Sequence, residues 1–350
     1  MTKKIILLLY TERSSYLDNC LKELAQEQIE VHLISYPVNK EAPFVFSGST
    51  FYNYERNHFK NKNELLEFSQ KLNPDLVLVS GWIDKDYLYV ALKLKLSCIT
   101  VMAMDTPWTG SIRQRILSTL SFNYFSKRFK YVWLPGKRQQ LFAEKIGFSK
   151  HNIMTGFYSG DVDFFKNYYD NSILQKRKSY PKVFLFLGRY INNKCIHELC
   201  ASFKAISEAN NHQWELWCVG TGEEWENRIS HPKIKHFGFL QPSELKEVVA
   251  NSGVYVLPSK FEPWGVSLHE FVAAGFPVIA SKYVGSAEMF LEDNLNGILI
   301  NSCSKLAISQ SILKMMKMSD QELLTMSQES LNLSNKITPK KWVDKLKSLL

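Results

Sequence analysis

VYVLPSKFEPWGVSLHEFVAAGFPVIAS, residues 254–281, decides how this chain is read. VYVL is an apolar run of strand length that ends at Pro258. KFEPWG then makes a loop at the strand's carboxyl end. GVSLHEFVAAG has helical spacing and closes on Gly275 as a left-handed cap. FPVIAS returns as a second buried strand. Strand, loop, helix and strand in that order form the unit of a parallel sheet, whose crossovers cover its faces with helices. Ligands of open parallel sheets bind beyond the carboxyl ends of the strands. The loop holding Glu262 therefore lies in a ligand position, and Glu270 follows inside the helix.

The first N–H groups of that helix, at Gly265, Val266 and Ser267, attract phosphate. Glu262, before the helix, is placed for a sugar hydroxyl beside such a phosphate. Glu270, more than a turn along, is placed to accept both hydroxyls of a ribose, because a carboxylate accepts on two oxygens. Spacing alone also admits two surface glutamates, with Glu262 as a first-turn charge.

The same rhythm runs outward in both directions. KIILLLY, SYLDNCLKELAQEQ and EVHLISYP open the chain, and NELLEFSQKLN, PDLVLVSG, KDYLYVALKLKL and SCITVMAMD continue it. The second half repeats it with KVFLFLGR, CIHELCASFKAISEAN, WELWCVGTG, SELKEVVANS, the stretch above and GILI. Its 350 residues suffice for two domains, each with its own core. The expected fold is α/β, with two Rossmann-like, doubly wound domains facing each other across a cleft. Residues 1–157 form the first domain and the polar 158–180 a linker. Residues 181–334 form the second domain, and 335–350 an amphipathic helix returning towards the first.

Composition excludes several classes. Apolar residues make up 45% and charged residues 22%, as in ordinary globular chains. The apolar runs fall far short of the ~20 residues that span a bilayer. The opening MTKKIILLLYTERSS lacks a small-residue cleavage site and reads as a first strand rather than a signal peptide. Six cysteines without a C-x-x-C pair argue against a zinc site or disulfide framework and fit a reducing, cytoplasmic setting. The net charge of +9 is lopsided: residues 1–150 hold 21 basic against 14 acidic side chains. No acidic residue occurs between Thr106 and Ala143, so this segment should meet something anionic.

Three further stretches end strands of the second half. In FLFLGRYINNKCIHELC, Gly188 closes the strand and Arg189 and Lys194 follow, a fork and a point charge suited to a diphosphate. Seen alone, they also read as solvated loop residues. In WCVGTGEEWENR, Gly220 and Gly222 permit close backbone approach and, with Gly188, are candidate donor-binding positions. In HFGFLQPSELKEVV, the backbone of Phe239 and Leu240 is placed to meet a nucleobase edge.

In this order, from about residue 181 to 300, the chain resembles the donor half of the family 4 retaining glycosyltransferases of the GT-B fold (glycosyl transferases group 1). The motifs are strand-G-R with a lysine beyond, V-G-x-G, F-G-x-L, L-P-S, E-P-x-G-x-x-x-x-E, A-G-x-P-V-I-A-S, G-S-A-E and N-G-I-L. The resemblance implies that Arg189 and Lys194 hold a donor diphosphate and Glu270 the ribose. It places Glu262 and the amides after Gly265 on the transferred sugar. The nucleotide sugar, of UDP or GDP type, is then a co-substrate, with no metal and no other cofactor.

The amino-terminal half departs from that family. Where many members carry a glycine pair after the first strand, this chain reads YTERSSYLD, with Ser14 and Ser15 as candidates for the same place. GFYSGDVDFF resembles the interdomain N-G-V-D-x-x-x-F segment with serine for asparagine. Its D-V-D at residues 161–163 and the D-x-D in IDKDY are weak metal motifs. Asp105, at the end of the fourth strand, is the best-placed carboxylate to orient or deprotonate an acceptor hydroxyl; capping the following turn is the alternative. SIRQRILSTLSFNYFSKRFKYVW then alternates basic and apolar residues with helical spacing. Such a helix suits an anionic membrane surface through Arg113, Arg115, Lys127, Arg128 and Lys130, or is a core helix with solvated charges. No nucleic-acid-binding module accompanies it.

The combined expectation is a retaining, metal-independent hexosyltransferase. It would act on a lipid-linked or cell-surface glycan in polysaccharide or lipopolysaccharide biosynthesis, as a cytoplasmic protein peripheral to the membrane. A non-catalytic binding paralogue and a sugar-nucleotide epimerase of the same fold are the alternatives.

Overall fold

The computed structural model describes residues 3–37 and 50–350. The chain divides into two compact units, Met1–Ser159 with Pro339–Leu350, and Gly160–Thr338. Among the described residues, the first unit contains strands β1 (Lys4–Tyr10), β2 (Ile29–Ser35), β3 (Tyr52–Glu55), β4 (Leu76–Ser80), β5 (Ile99–Ala103), β6 (Tyr131–Leu134) and β7 (Ile153–Thr155). Helices α1 (Ser15–Ala25), α2 (Lys62–Leu72), α3 (Lys85–Leu94), α4 (Ile112–Leu120) and α5 (Gln140–Lys145) lie between them. The strands form one sheet in the order β3-β2-β1-β4-β5-β6-β7. Every pairing in it is parallel, with Ile6 opposite Val31 on one side and Leu76 on the other.

Both faces of this sheet are covered, which is why its central strands are apolar without alternation. Ile6, Leu8 and Tyr10 of β1 pack into one core with Leu17, Leu21 and Leu24 of α1. Leu7 and Leu9 enter the other, with Tyr87, Leu88 and Val90 of α3.

The second unit holds strands β8 (Val183–Leu187), β9 (Glu215–Val219), β10 (Ile234–Gly238), β11 (Val254–Leu257), β12 (Val278–Ser281) and β13 (Gly297–Ile300). Their order, β10-β9-β8-β11-β12-β13, is again parallel throughout. Helices α6 (Val162–Lys178), α7 (Ile196–Ala209), α8 (Leu245–Ala250), α9 (Val266–Ala273), α10 (Ala287–Phe290), α11 (Lys305–Met316) and α12 (Asp320–Ser334) complete it. The last helix, α13 (Pro339–Lys347), belongs to the first unit. There Trp342 stacks on Trp133 at 5.1 Å, and Lys340 and Lys347 both pair with Glu27 of the α1–β2 turn.

Four expectations change. The linker expected over 158–180 is largely α6, a 17-residue helix of the second unit. Asp161 caps its start, and Val162, Phe165, Tyr168, Tyr169 and Ser172 are buried at helical spacing between the polar residues that suggested a linker. The four-residue β3 was not foreseen, because YNYE is a polar, exposed edge strand that pairs with β2 alone. Asp105 consequently follows the fifth strand rather than the fourth. The single helix expected over 111–133 is helical only at 112–120. Beyond it the chain turns, with Asn123 at a left-handed φ of 62°, and Tyr131–Leu134 join the sheet as β6.

Candidate functional site

In the second sheet, β8 and β11 are neighbours from which the chain winds outward in opposite directions. That is the topological switch point, where the carboxyl ends of two strands diverge and leave a crevice. The loop after β8 carries Gly188, Arg189 and, through a short 3-10 turn at Asn192–Lys194, Lys194. The loop after β11 carries Glu262 and leads into α9.

These two loops are joined. Lys194 Nζ donates to Glu262 Oε2, and both side chains are mostly buried. The Lys260 amide donates to the Asn193 carbonyl at 2.9 Å, and Lys260 Nζ to Asn192 Oδ1. A third loop, after β12, braces the second. The Gly285 amide donates to Glu262 O at 3.0 Å and the Ser286 amide to Trp264 O at 2.8 Å. Ser286 Oγ adds a bond to Gly265 O at 2.8 Å. Gly265 has φ +89°, and a Cβ there would lie 2.9 Å from Glu262 Cγ and 3.2 Å from Val284 Cγ1. Glycine is required here by both backbone and space.

Helix α9 starts beside this cluster, with no earlier turn to satisfy its first N–H groups from Gly265 to Ser267. Ser267 Oγ is held by the Tyr255 hydroxyl at 2.9 Å. Glu270 lies one turn deeper and is half-buried. Burial first, and then the neighbouring Asp161, push its carboxyl up to about 8. The two glutamates therefore differ in environment: one has a cation, and the other a desolvated pocket and a second acid.

The glycines at the ends of β8 and β9 serve a contact between loops. A Cβ on Gly220 (φ +127°) would lie 2.0 Å from Gly188 O, and one on Gly222 (φ +155°) 2.6 Å from Tyr190 O. The two loops run backbone against backbone, with Gly188 N to Val219 O at 3.1 Å and Tyr190 N to Thr221 O at 2.8 Å. Gly220 N donates onward to Gly238 O at 2.7 Å, which fixes the start of the half-buried Phe239–Leu240 segment. Arg189 is exposed on the loop after β8.

Sequence reading missed His269. Its ring is fully buried and stacked on Phe290 at 3.9 Å. Nδ1 accepts from the Gly160 amide at 3.0 Å, so Nε2 carries the proton that is donated to Ser334 O at 2.8 Å. Burial lowers this histidine to about 4, so it stays neutral. The available signal was its place between the two glutamates, one position before Glu270.

In the first unit, Asp105 Oδ2 accepts from the Tyr158 hydroxyl at 3.3 Å, and its carbonyl accepts from Gln139 Nε2 at 3.0 Å. Burial, with Tyr16 and Asp105 nearby, holds Tyr158 well above the usual phenol range, so it remains a donor. In the loop after β1, Ser14 caps α1, its Oγ accepting from Leu17 N at 3.4 Å. Arg13 grips Asp18 through two bonds of 2.7 Å. Of the D-x-D motifs, Asp161 caps α6, while Asp84 caps α3 and shares Arg56 with Asp86. Arg113 and Arg115 lie on α4, Lys127 and Arg128 in the turns after it, and Lys130 just before β6. None of these five has an acidic partner among the described residues. No described helix is long and apolar enough to cross a membrane.

Comparison with known proteins agrees with this geometry. Residues 170–330 match the family described as Glycosyl transferases group 1. An uncharacterized glycosyltransferase of Methanocaldococcus jannaschii is 31% identical over 127 residues, which is 34% of this chain and 32% of that protein. The match thus spans about a third of that relative's length. An uncharacterized glycosyltransferase of Haemophilus influenzae is 24% identical over 83% of this chain and 81% of its own. Among solved structures, Anabaena HepE in complex with UDP and glucose superposes with a TM-score of 0.73 at 14% identity, covering all of both chains. Residues 170–330 therefore form a glycosyl transferases group 1 domain, within a chain that has the two-sheet GT-B fold.

Proposed function

We propose that this chain is a retaining, metal-independent glycosyltransferase of hexosyl type, using a UDP- or GDP-linked sugar. The observation that carries the proposal is the meeting of Lys194 and Glu262 at the switch point, beside the start of α9 and one turn above Glu270. A donor diphosphate placed there takes over Lys194 and receives Arg189. Glu262, released from its cation, then accepts hydroxyls of the transferred sugar, and Glu270 accepts those of the ribose. As the bond from the anomeric carbon to the diphosphate oxygen breaks, the acceptor oxygen bonds to that carbon on the same face. The acceptor's proton passes to the departing diphosphate, whose growing charge Arg189 and Lys194 stabilise.

The acceptor side falls to the first unit, where Tyr158 and Gln139 hold Asp105 in place to orient an acceptor hydroxyl. We assign the acceptor to the lipid-linked or cell-surface glycans of polysaccharide or lipopolysaccharide biosynthesis. The protein would be cytoplasmic and peripheral to an anionic membrane through Arg113, Arg115, Lys127, Arg128 and Lys130. One observation favours a second reading, a non-catalytic sugar-nucleotide-binding paralogue: Arg13 and Asp18 lock the loop that is glycine-rich in the resembling family.

A single experiment separates the two. Purified protein is incubated with UDP- and GDP-linked sugars, and the released sugar is followed by proton NMR. Slow release of the α anomer from an α-linked donor is expected. Binding without any release would leave the paralogue reading, and release of the β anomer would overturn retention.

A further inference from the structure

A surface cavity of about 320 Å³ in the first unit is lined by Trp108, Arg115, Ser118, Thr119 and Lys145. Two cations, two hydroxyls and an aromatic ring converge on it, and no carboxylate lines it. Lys145 Nζ lies 4.8 Å from the centre of the Trp108 ring, and Arg115 Nε donates to Gly110 O at 2.9 Å. Among the described residues neither cation has an acidic partner. The hydroxyls of Ser118 and Thr119 both donate to Arg115 O, at 2.9 and 3.0 Å, which leaves the forked guanidinium and the mobile ammonium to match the oxygens of a phosphate.

The same helix carries a second feature. A helical residue advances by about 100°, so Ile112, Ile116 and Leu120 form one stripe of α4, next to the stripe of Arg115 and Thr119. These three side chains are 77%, 55% and 78% exposed, an apolar ridge that the described residues leave open. Phe122, 59% exposed, extends it into the following turn. A cationic cavity bordered by an uncovered apolar ridge matches a molecule that joins a phosphate to hydrocarbon.

We propose that this cavity binds the phosphate of a lipid, with the α4 ridge entering the adjoining hydrocarbon. Resting on the glycosyltransferase reading, this makes it the anchor for the phosphate-bearing end of a lipid-borne acceptor. Arg115 and Lys145 neutralise the phosphate, and Ile112, Ile116 and Leu120 replace water around the first methylenes.

The test uses the full chain, phosphatidylcholine vesicles containing either phosphatidic acid or the same negative charge as oleate, and two soluble probes, dihexanoyl phosphatidic acid and inorganic phosphate. Wild type should sediment with the phosphatidic acid vesicles about 10-fold more strongly than with the oleate vesicles, because the matched charge cancels the general attraction and leaves the charge-assisted bonds to phosphate. The double variant R115Q/K145Q should lose that preference. The variant I116S/L120S should lose vesicle binding yet keep its affinity for dihexanoyl phosphatidic acid. Equal sedimentation with both vesicles, or preference retained in R115Q/K145Q, would overturn the proposal. Inorganic phosphate binding as tightly as the soluble lipid would overturn its lipid component. Thermal shifts with nucleotide sugars, run on the same samples, read the second unit separately. Loss of the phosphate preference with donor binding intact refutes the cavity alone, whereas absent donor binding with the preference intact refutes only the glycosyltransferase reading.

Discussion

Glu270→Gln puts a neutral amide of nearly the same shape where the structure holds a carboxyl at about 8 instead of 4.5. In the ligand-free protein at pH 7 that carboxyl is protonated. If it accepts one ribose hydroxyl on each of its two oxygens, as proposed, it ionises, so donor binding releases a proton. Each pH step below 8 then costs about 1.4 kcal/mol of binding, or about tenfold in Kd. Wild-type affinity for a nucleotide sugar should therefore rise by up to about 100-fold from pH 6 to 8 and then level off. The phosphates of a nucleotide sugar do not titrate in that window, which leaves the protein as the source of the slope. Glu270→Gln should bind with no such slope, and about 1–3 kcal/mol more weakly at pH 8.

Calorimetric titration at several pH values, in buffers of different ionisation enthalpy, measures both affinity and proton release. Parallel pH dependence in the two proteins, or wild-type binding that weakens as pH rises, would refute the assignment. Stability supplies a second check with a fixed sign. A carboxyl whose folded pKa is raised destabilises the fold increasingly from pH 4.5 to 8 and fully above 8. The ligand-free Gln variant should thus be more stable than wild type at pH 9 and differ little at pH 4.

Arg189→Ala and Lys194→Ala should each lower turnover about 10²–10³-fold, the range for losing one preorganised charge stabiliser, while EDTA leaves the wild-type rate unchanged in the same assay. Gly265→Ala should weaken donor binding and cost about 1–3 kcal/mol in urea unfolding, because its Cβ meets Glu262 Cγ at 2.9 Å on a left-handed backbone. A variant as stable as wild type with equal affinity would show that the loop relaxes freely. Lys176 is 1% exposed, its Nζ has no hydrogen-bond partner, and burial pushes it down to about 7. Lys176→Met should therefore stabilise the fold by about 2–4 kcal/mol at pH 6, with the gain shrinking from pH 7 towards 10.5 as the unfolded lysine also loses its proton. A gain independent of pH would mean that the lysine stays charged inside the fold.

What could be read in advance follows from how each feature is encoded. The sheets were legible because a strand buried on both faces must be apolar without interruption, as KIILLLY and VYVL are. The loops of the candidate site were legible as such because they sit at strand ends and their residue types carry chemistry on their own. The helix α6 was not, since its buried Tyr168, Tyr169 and Ser172 have polar atoms that disguise an apolar stripe. The ion pair of Lys194 with Glu262 was also hidden. It links residues 68 positions apart, and only the adjacency of β8 and β11 brings them together. The same holds for Gly220 and Gly222, which suggested approach by a ligand. In the structure each lies against another loop's carbonyl.

His269 shows how closely support and chemistry are packed in α9. The helix is only eight residues long, yet its start offers amides, position 269 a tether and position 270 a carboxyl. The neutral ring accepts from Gly160, the first residue of the second unit, and donates to Ser334 at the end of α12. It thereby fixes the rotation of the helix about its own axis, and with it the direction of Glu270. Gly160 completes the constraint. A Cβ there would stand 3.0 Å from Glu270 Cγ and 3.3 Å from His269 Nδ1, so glycine lets backbone serve as one wall of the Glu270 pocket. Asp161 follows immediately and caps α6 while raising the pKa of Glu270. Gly160 and Asp161, in the segment that resembled an interdomain motif, are therefore also part of the glutamate's pocket.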